Sequence, residues 1–342
     1  MPVRFGYILL SLLLAGCLGE AERGNPLDPL SDNFQNVGAV FGTVTTFYAP
    51  FDGLPGAQVQ LMPLNEGLDG EAELRAPVDG SGSFSLTDVP AGTYAVAAEA
   101  DGFATAMDTV TIALGQRTEV DLRLNGIPVV TVRAFHTEHI DRWFPQDPLF
   151  QLVVEVTVGD PDGVGDIEGV HLTLPSLGFA DTLRAVAGEP GAYRRVFSES
   201  ELPVAAQDLL GEPFRIAATD RPGAQGLTSA VQIVRIITNF PNGLEPAPGP
   251  GGRPVVAPQP TFTWRAVTVP FGFTYRLDLT FVPVPGQETP FQSYLGLPST
   301  ATTFTLPEAL PPGDYDWTVS AVDAFGNLSR SRPLGFRVGG TS

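Results

Sequence analysis

Residues 79–98 read DGSGSFSLTDVPAGTYAVAA, and this stretch decides the fold class. Asp79-Gly80 is a turn signal, and Gly82-Ser83-Phe84-Ser85-Leu86 after it alternates polar and apolar side chains. Ala91-Gly92 marks a second turn, and alternation resumes from Tyr94 to Ala98. A period of two places one face of an extended chain against a core and the other in solvent, which is the mark of a strand. The same pattern continues outward through Val40-Phe41-Gly42-Thr43-Val44, Ala57 to Met62, Asp108 to Ile112 and Thr118 to Leu124. Asp52-Gly53 and Asp101-Gly102-Phe103 add further turns. Short strands at close spacing predict a β-sandwich.

The order of these pieces resembles the carboxypeptidase regulatory-like domain, a transthyretin-like (prealbumin-like) sandwich. The matching elements are Gly42-Thr43-Val44, Leu54-Pro55-Gly56-Ala57-Gln58-Val59, Asp79-Gly80-Ser81-Gly82-Ser83-Phe84, Val89-Pro90-Ala91-Gly92-Thr93-Tyr94 and Asp101-Gly102-Phe103. The resemblance implies a non-catalytic domain over 38–126, with Phe84 and Tyr94 in its core. A zinc carboxypeptidase would need a His-x-x-Glu pair with a distant histidine, and the sequence has no such pair.

Residues 127–239 form a second alternating series. Its expected strands are Val129 to Phe135, Phe150 to Val158, Ile167 to Leu174, Asp181 to Val186, Ala192 to Phe197, Phe214 to Thr219 and Thr228 to Ile236. Seven strands over about 110 residues suit an immunoglobulin-like sandwich. The segment 240–260 (FPNGLEPAPGPGGRPVVAPQP) is dense in Pro and Gly and reads as a semi-stiff linker. The third unit, 261–339, resembles fibronectin type III or bacterial Ig-like domains through Trp264, Gly313-Asp314-Tyr315 and Asp323-Ala324-Phe325-Gly326-Asn327. In that resemblance Tyr315 forms a tyrosine corner, its hydroxyl returning to the backbone. The expected fold is therefore all-β, with three tandem sandwiches.

At the N-terminus, Arg4 precedes an apolar run over 5–14, and Leu14-Ala15-Gly16-Cys17 ends it with the chain's single cysteine. The run is too short to span a bilayer, which takes about 20 apolar residues. It resembles the lipobox of bacterial lipoproteins, which implies a signal peptide over 1–16, acylation at Cys17 and a membrane anchor in the cell envelope, on the outer membrane or cell surface. Residues 17–37, with prolines at 26 and 29, read as a tether. Acylation of Cys17 leaves no thiol for a disulfide, so packed cores must hold the fold.

The sequence carries 19 basic residues, every one an arginine, against 38 acidic, a net charge of −19. Such an excess repels phosphate backbones and argues against nucleic-acid partners. Gly 38 and Pro 33 with 43% hydrophobic residues describe a turn-rich globular chain.

Few groups point to chemistry. Asp160, Asp162 and Asp166, with Glu168, lie in a glycine-rich turn and could give hard oxygen ligands to calcium. The spacing is not that of an EF-hand, since Val164 takes a ligand position and His171 replaces the closing glutamate. The plain alternative is an acidic turn between two strands. His136 and His139 sit at i and i+3, which on a strand point to opposite faces, so zinc is disfavoured. Ser81 and Ser83 lack the strand–elbow–helix setting of a hydrolase nucleophile. No P-loop or dinucleotide fingerprint occurs. Trp143-Phe144, in an expected loop, could stack on a sugar, whereas Trp264 and Trp317 alternate with apolar neighbours and belong in a core.

The leading reading is a non-catalytic, membrane-anchored envelope lipoprotein acting as a structural or adhesive binding module, with no catalytic residues. A carbohydrate-binding accessory protein of the envelope is the alternative, with an envelope protein or polysaccharide as partner in either case. A hydrolase-associated protein is the third. No cofactor is expected unless calcium binds.

Overall fold

The computed structural model describes residues 26, 28, 30, 31, 34, 36–64 and 74–339. Cys17 and the signal and lipidation expectations lie outside them. The chain divides into two compact units: one runs to Asp101 and includes Thr105–Leu124, and the other takes Gly102–Ala104 and continues from Asn125. Both are built of strands, with short 3-10 turns in the second, so the all-β expectation holds.

The first unit carries β1 (Val37–Thr46), β2 (Gln58–Pro63), β3 (Leu74–Pro77), β4 (Ser83–Pro90), β5 (Gly92–Glu99), β6 (Ala106–Ile112), β7 (Arg117–Glu119) and β8 (Leu122–Leu124). One sheet runs β4-β1-β7, with β8 also on β1; the other runs β3-β2-β5-β6. Alternation in β1 buries Val40 and Val44, and the facing sheet contributes Val59, Leu61, Tyr94 and Val96. Phe84 is buried with them, as expected. Gly42 is fixed by close approach, since a Cβ there would meet the Val120 carbonyl oxygen at 1.8 Å. Tyr94 donates from its hydroxyl to the Pro90 carbonyl at 2.9 Å, which pins the turn before β5.

The second unit holds two hydrophobic cores. The first is built from β9 (Val129–Ile140), β10 (Leu149–Gly159), β11 (Ile167–Leu174), β12 (Phe179–Ala185), β13 (Ala192–Ser198), β14 (Arg215–Asp220) and β15 (Gln225–Leu227). Strand β12 turns the corner between two sheets, pairing with β11 over Phe179–Leu183 and with β13 at Arg184 and Ala185. Phe150, Leu152, Leu172, Phe197, Phe214 and Ile216 fill the space between them. The segment 228–236, expected as a seventh strand, makes only single bridges, Phe214 with Val231 and Leu210 with Ile233.

The second core lies among β16 (Asn242–Glu245), β17 (Val255–Val256), β18 (Thr261–Arg265), β19 (Phe273–Val284), β20 (Gln287–Pro298), β21 (Thr303–Thr305), β22 (Gly313–Asp323), β23 (Leu328–Arg330) and β24 (Leu334–Val338). The layer β16-β18-β21 packs on the layer containing β19, β20, β22 and β24 through Phe262, Trp264, Tyr275, Tyr315, Trp317 and Phe336. Strands β16 and β17 fall inside the Pro/Gly-rich 240–260, so that stretch is partly sheet and not only linker. Tyr315 makes the expected corner, its hydroxyl donating to the Pro311 carbonyl at 2.9 Å.

These two cores share one sheet. Strand β23 pairs in parallel with β9, Leu328 opposite Glu138 and Arg330 opposite Ile140. Beside that ladder, Asn327 Oδ1 accepts from the Thr137 N–H at 2.8 Å and from its hydroxyl at 3.0 Å. Arg332 forks onto Asp141 at 2.7 and 2.9 Å, a bidentate pair that fixes orientation as well as distance.

Candidate functional site

The turn from β10 to β11 is shaped by its own sequence. Asp160 Oδ1 accepts the Asp162 N–H at 2.8 Å, and the Gly163 N–H reaches the Asp160 carbonyl at 3.0 Å. Gly163 sits at φ +95°, a region that favours glycine. A 3-10 turn over Val164–Asp166 then carries Asp166 inward. Asp220, at the end of β14, is brought opposite Ile167 by the β11–β14 ladder. Its Oδ1 caps the following turn, accepting from the N–H groups of Gly223 at 2.7 Å and Ala224 at 2.6 Å.

One carboxylate oxygen from each of Asp160, Asp166 and Asp220 lies within 4.8 Å of the others. Asp166 is 6% exposed and Asp220 0%. Both oxygens of Asp166 and the Oδ2 of Asp160 are buried without a hydrogen-bond partner among the described residues. Asn125 completes the wall: its amide donates to Asp220 Oδ2 at 2.6 Å, while its own Oδ1 is buried and unpartnered. Gly126 donates its N–H to Asp162 Oδ2 at 2.6 Å, and a Cβ on Gly126 would stand 2.7 Å from Asp160 Oδ1.

Burial pushes the Asp160 carboxyl up to about 6, opposed by the Asp162 N–H, and the negative Asp166, Asp162 and Asp220 add to the rise. Asp166 is raised too, by burial first and then by Asp220 and Asp162, with Arg221 pulling the other way. Ionised together, these groups repel one another in a poorly solvated place.

Of the four carboxylates the sequence singled out, Asp160 and Asp166 converge. Asp162 stands beside them, its Oδ2 taken by Gly126. Glu168 is exposed on β11, outside the group of three. Asp220 and Asn125 were missed, because each is more than thirty residues from the turn and only the ladders bring them in. The signals available were local: an Asp closing the strand before Arg-Pro-Gly, and an Asn-Gly step after β8.

The histidines do not converge. His136 lies 3.5 Å from Glu138, His139 stacks on Phe240 with centroids 4.2 Å apart, and His171 hydrogen-bonds the Thr182 hydroxyl at 3.0 Å. Trp143 is 56% exposed, but its indole N–H donates to the Pro333 carbonyl at 2.8 Å and Arg332 covers its ring at 4.8 Å. Phe144 is 89% exposed. Trp264 and Trp317 are buried in the second core, as their alternation predicted.

Within the first unit, the chain is similar to a known family. The family model of the carboxypeptidase regulatory-like domain matches residues 39–125. That segment is similar to carboxypeptidase regulatory-like domains. Carboxypeptidase regulatory-like domains are non-catalytic. No curated protein matches the chain. Among solved structures, a DUF3823 family protein from Bacteroides ovatus is 12% identical, covering 57% of this chain and 98% of its own, with a TM-score of 0.25. The chicken CNTN1 FN1–FN3 domains are 11% identical, covering 82% and 90%, with a TM-score of 0.30. BcpA, the major pilin subunit of Bacillus cereus, is 11% identical, covering 89% and 95%, with a TM-score of 0.29.

Proposed function

We propose that this chain is an exported, lipid-anchored protein of a bacterial envelope and works as a non-catalytic structural and adhesive binding module. The observation that carries the reading is the locking of two sandwiches into one unit by the β9–β23 ladder, Thr137–Asn327 and Asp141–Arg332. A unit braced in this way presents its connecting loops at fixed geometry, and recognition in sandwiches is concentrated in loops. The described histidines support the non-catalytic part: His136 is engaged with Glu138 and His139 with Phe240, and His171, hydrogen-bonded to the Thr182 hydroxyl, has no third group described as orienting it. No described helix is long and apolar enough to cross a membrane, so the anchor in this reading is acyl chains on Cys17. The partners are the membrane, through that lipid, and an envelope protein or polysaccharide; the net charge of −19 disfavours nucleic acid.

Cells producing the full chain and its Cys17→Ser variant test the anchor. Labelled palmitate should enter the first and not the second, and the first alone should sediment with membranes. Equal sedimentation, or an intact unmodified N-terminus, would sink the reading.

Carbohydrate binding is the second reading, favoured by the exposure of Phe144 beside a Trp143 ring held in place by Pro333 and Arg332. Aromatic faces of this kind can stack on sugars. The full chain in detergent should then bind particular glycans on an array, and Phe144→Ala should weaken each hit. An array without hits dismisses it.

A further inference from the structure

Two buried carboxylates and a half-buried third facing one another are costly in their charged forms unless something positive joins them, because removing charge from water is offset only by a partner. None of the ion pairs of the described residues includes Asp160, Asp166 or Asp220. Both Asp166 oxygens, Asp160 Oδ2 and the neutral amide oxygen of Asn125 are buried and unpartnered, and buried acceptors ordinarily find donors. Asn125 is only 9% exposed, and its amide nitrogen is held against Asp220, which sets this side chain against the group.

We propose that Asp160, Asp166 and Asp220, with the amide oxygen of Asn125 and the neighbouring Asp162, form a calcium site in the second unit. Calcium takes six to eight oxygens at about 2.3–2.6 Å, so two ligands of one ion stand at most about 5 Å apart. The mutual separations of up to 4.8 Å fit that limit. All the donors are hard oxygens, with no imidazole or thiolate in the group, which disfavours zinc. Magnesium demands a tighter octahedron and keeps several waters, a poor match to carboxylates this buried. Calcium would tie the β10–β11 turn, the end of β14 and the Asn125–Gly126 segment together. The proposal is independent of the envelope reading and stands whether or not Cys17 carries lipid.

The test uses the full chain stripped with chelator, with equilibrium dialysis against calcium and calorimetric melting. Wild type should retain calcium, and calcium at about 100-fold over its Kd should raise the second unit's melting temperature by roughly 5–10 °C. Asp166→Asn should weaken binding at least tenfold yet melt no lower than wild type without calcium, because it removes a buried charge that has no partner. Glu168→Gln, on the exposed face of β11, should bind as wild type does. No retention and no melting shift up to 10 mM calcium would overturn the proposal. So would undiminished binding by Asp166→Asn, loss of binding in Glu168→Gln, or magnesium acting at lower concentration than calcium.

Discussion

Replacing Asn327 with alanine tests the bracing of the second unit most directly. Asn327 is 2% exposed, and its side chain accepts from the Thr137 N–H and hydroxyl while donating to Asp323 Oδ2 at 3.0 Å. Alanine would strand the Thr137 N–H and hydroxyl on a residue that is itself buried, and would take one donor from Asp323. A buried group left unsatisfied costs about 1–3 kcal/mol, and neighbouring losses do not simply add, so about 2–4 kcal/mol is expected. For a unit of this size that is a fall of roughly 4–16 °C in melting temperature. Calorimetry on the full chain should show this fall, with the second unit's transition broadening or splitting as the two cores lose their shared ladder. Asn327→Asp refines the argument. It keeps the acceptors for Thr137 but sets a second negative charge against Asp323, so it should be destabilised at neutral pH and recover in acid. A loss below about 1 kcal/mol in Asn327→Ala, within the range of surface substitutions, would refute the reasoning.

Two further outcomes can be measured. Tyr94→Phe and Tyr315→Phe keep the ring packing and delete only the hydroxyl's bond to Pro90 or Pro311, so each should lose about 0.5–1.5 kcal/mol in urea unfolding. Burial lowers the pKa of His139 from 6.5, partly offset by the nearby Thr238 and Ile237 backbone and by Glu199 and Asp141. Its contribution to stability is therefore full above that unfolded value and declines as pH falls through the window down to the folded value. The stability difference between wild type and His139→Asn, followed by urea titration, should shrink or reverse from pH 7 to pH 5; a difference independent of pH would remove this group from the account.

Much of the fold was legible because one face of each strand is buried. The alternation at Tyr94–Ala98, Ile167–Leu174 and Tyr315–Asp323 survives in β5, β11 and β22. The Pro-x-Gly-x-Tyr runs at 90–94 and 311–315 both close on the proline carbonyl, although only the second was read as a corner. Strand β20 was not legible, because it is exposed along most of its length and offers no period to read. The candidate site was half legible. Asp160 and Asp166 share a turn, whereas Asp220 and Asn125 join it only through ladders and a side-chain hydrogen bond, which a linear reading does not contain. Trp143 was expected as a free ring, and its tie to Pro333 could not be seen without the β9–β23 pairing that brings that carbonyl near.

The exposed strand β20 also ends its sheet, so one rim of backbone donors and acceptors faces outward with no neighbour among the described residues. Such a rim invites a second chain to extend the sheet indefinitely. Here the ladder to β19 is interrupted three times, and Pro290 and Pro298 withhold amide protons. An incoming strand would find neither a straight template nor an unbroken row of donors. Growth of the sheet past this edge is therefore disfavoured.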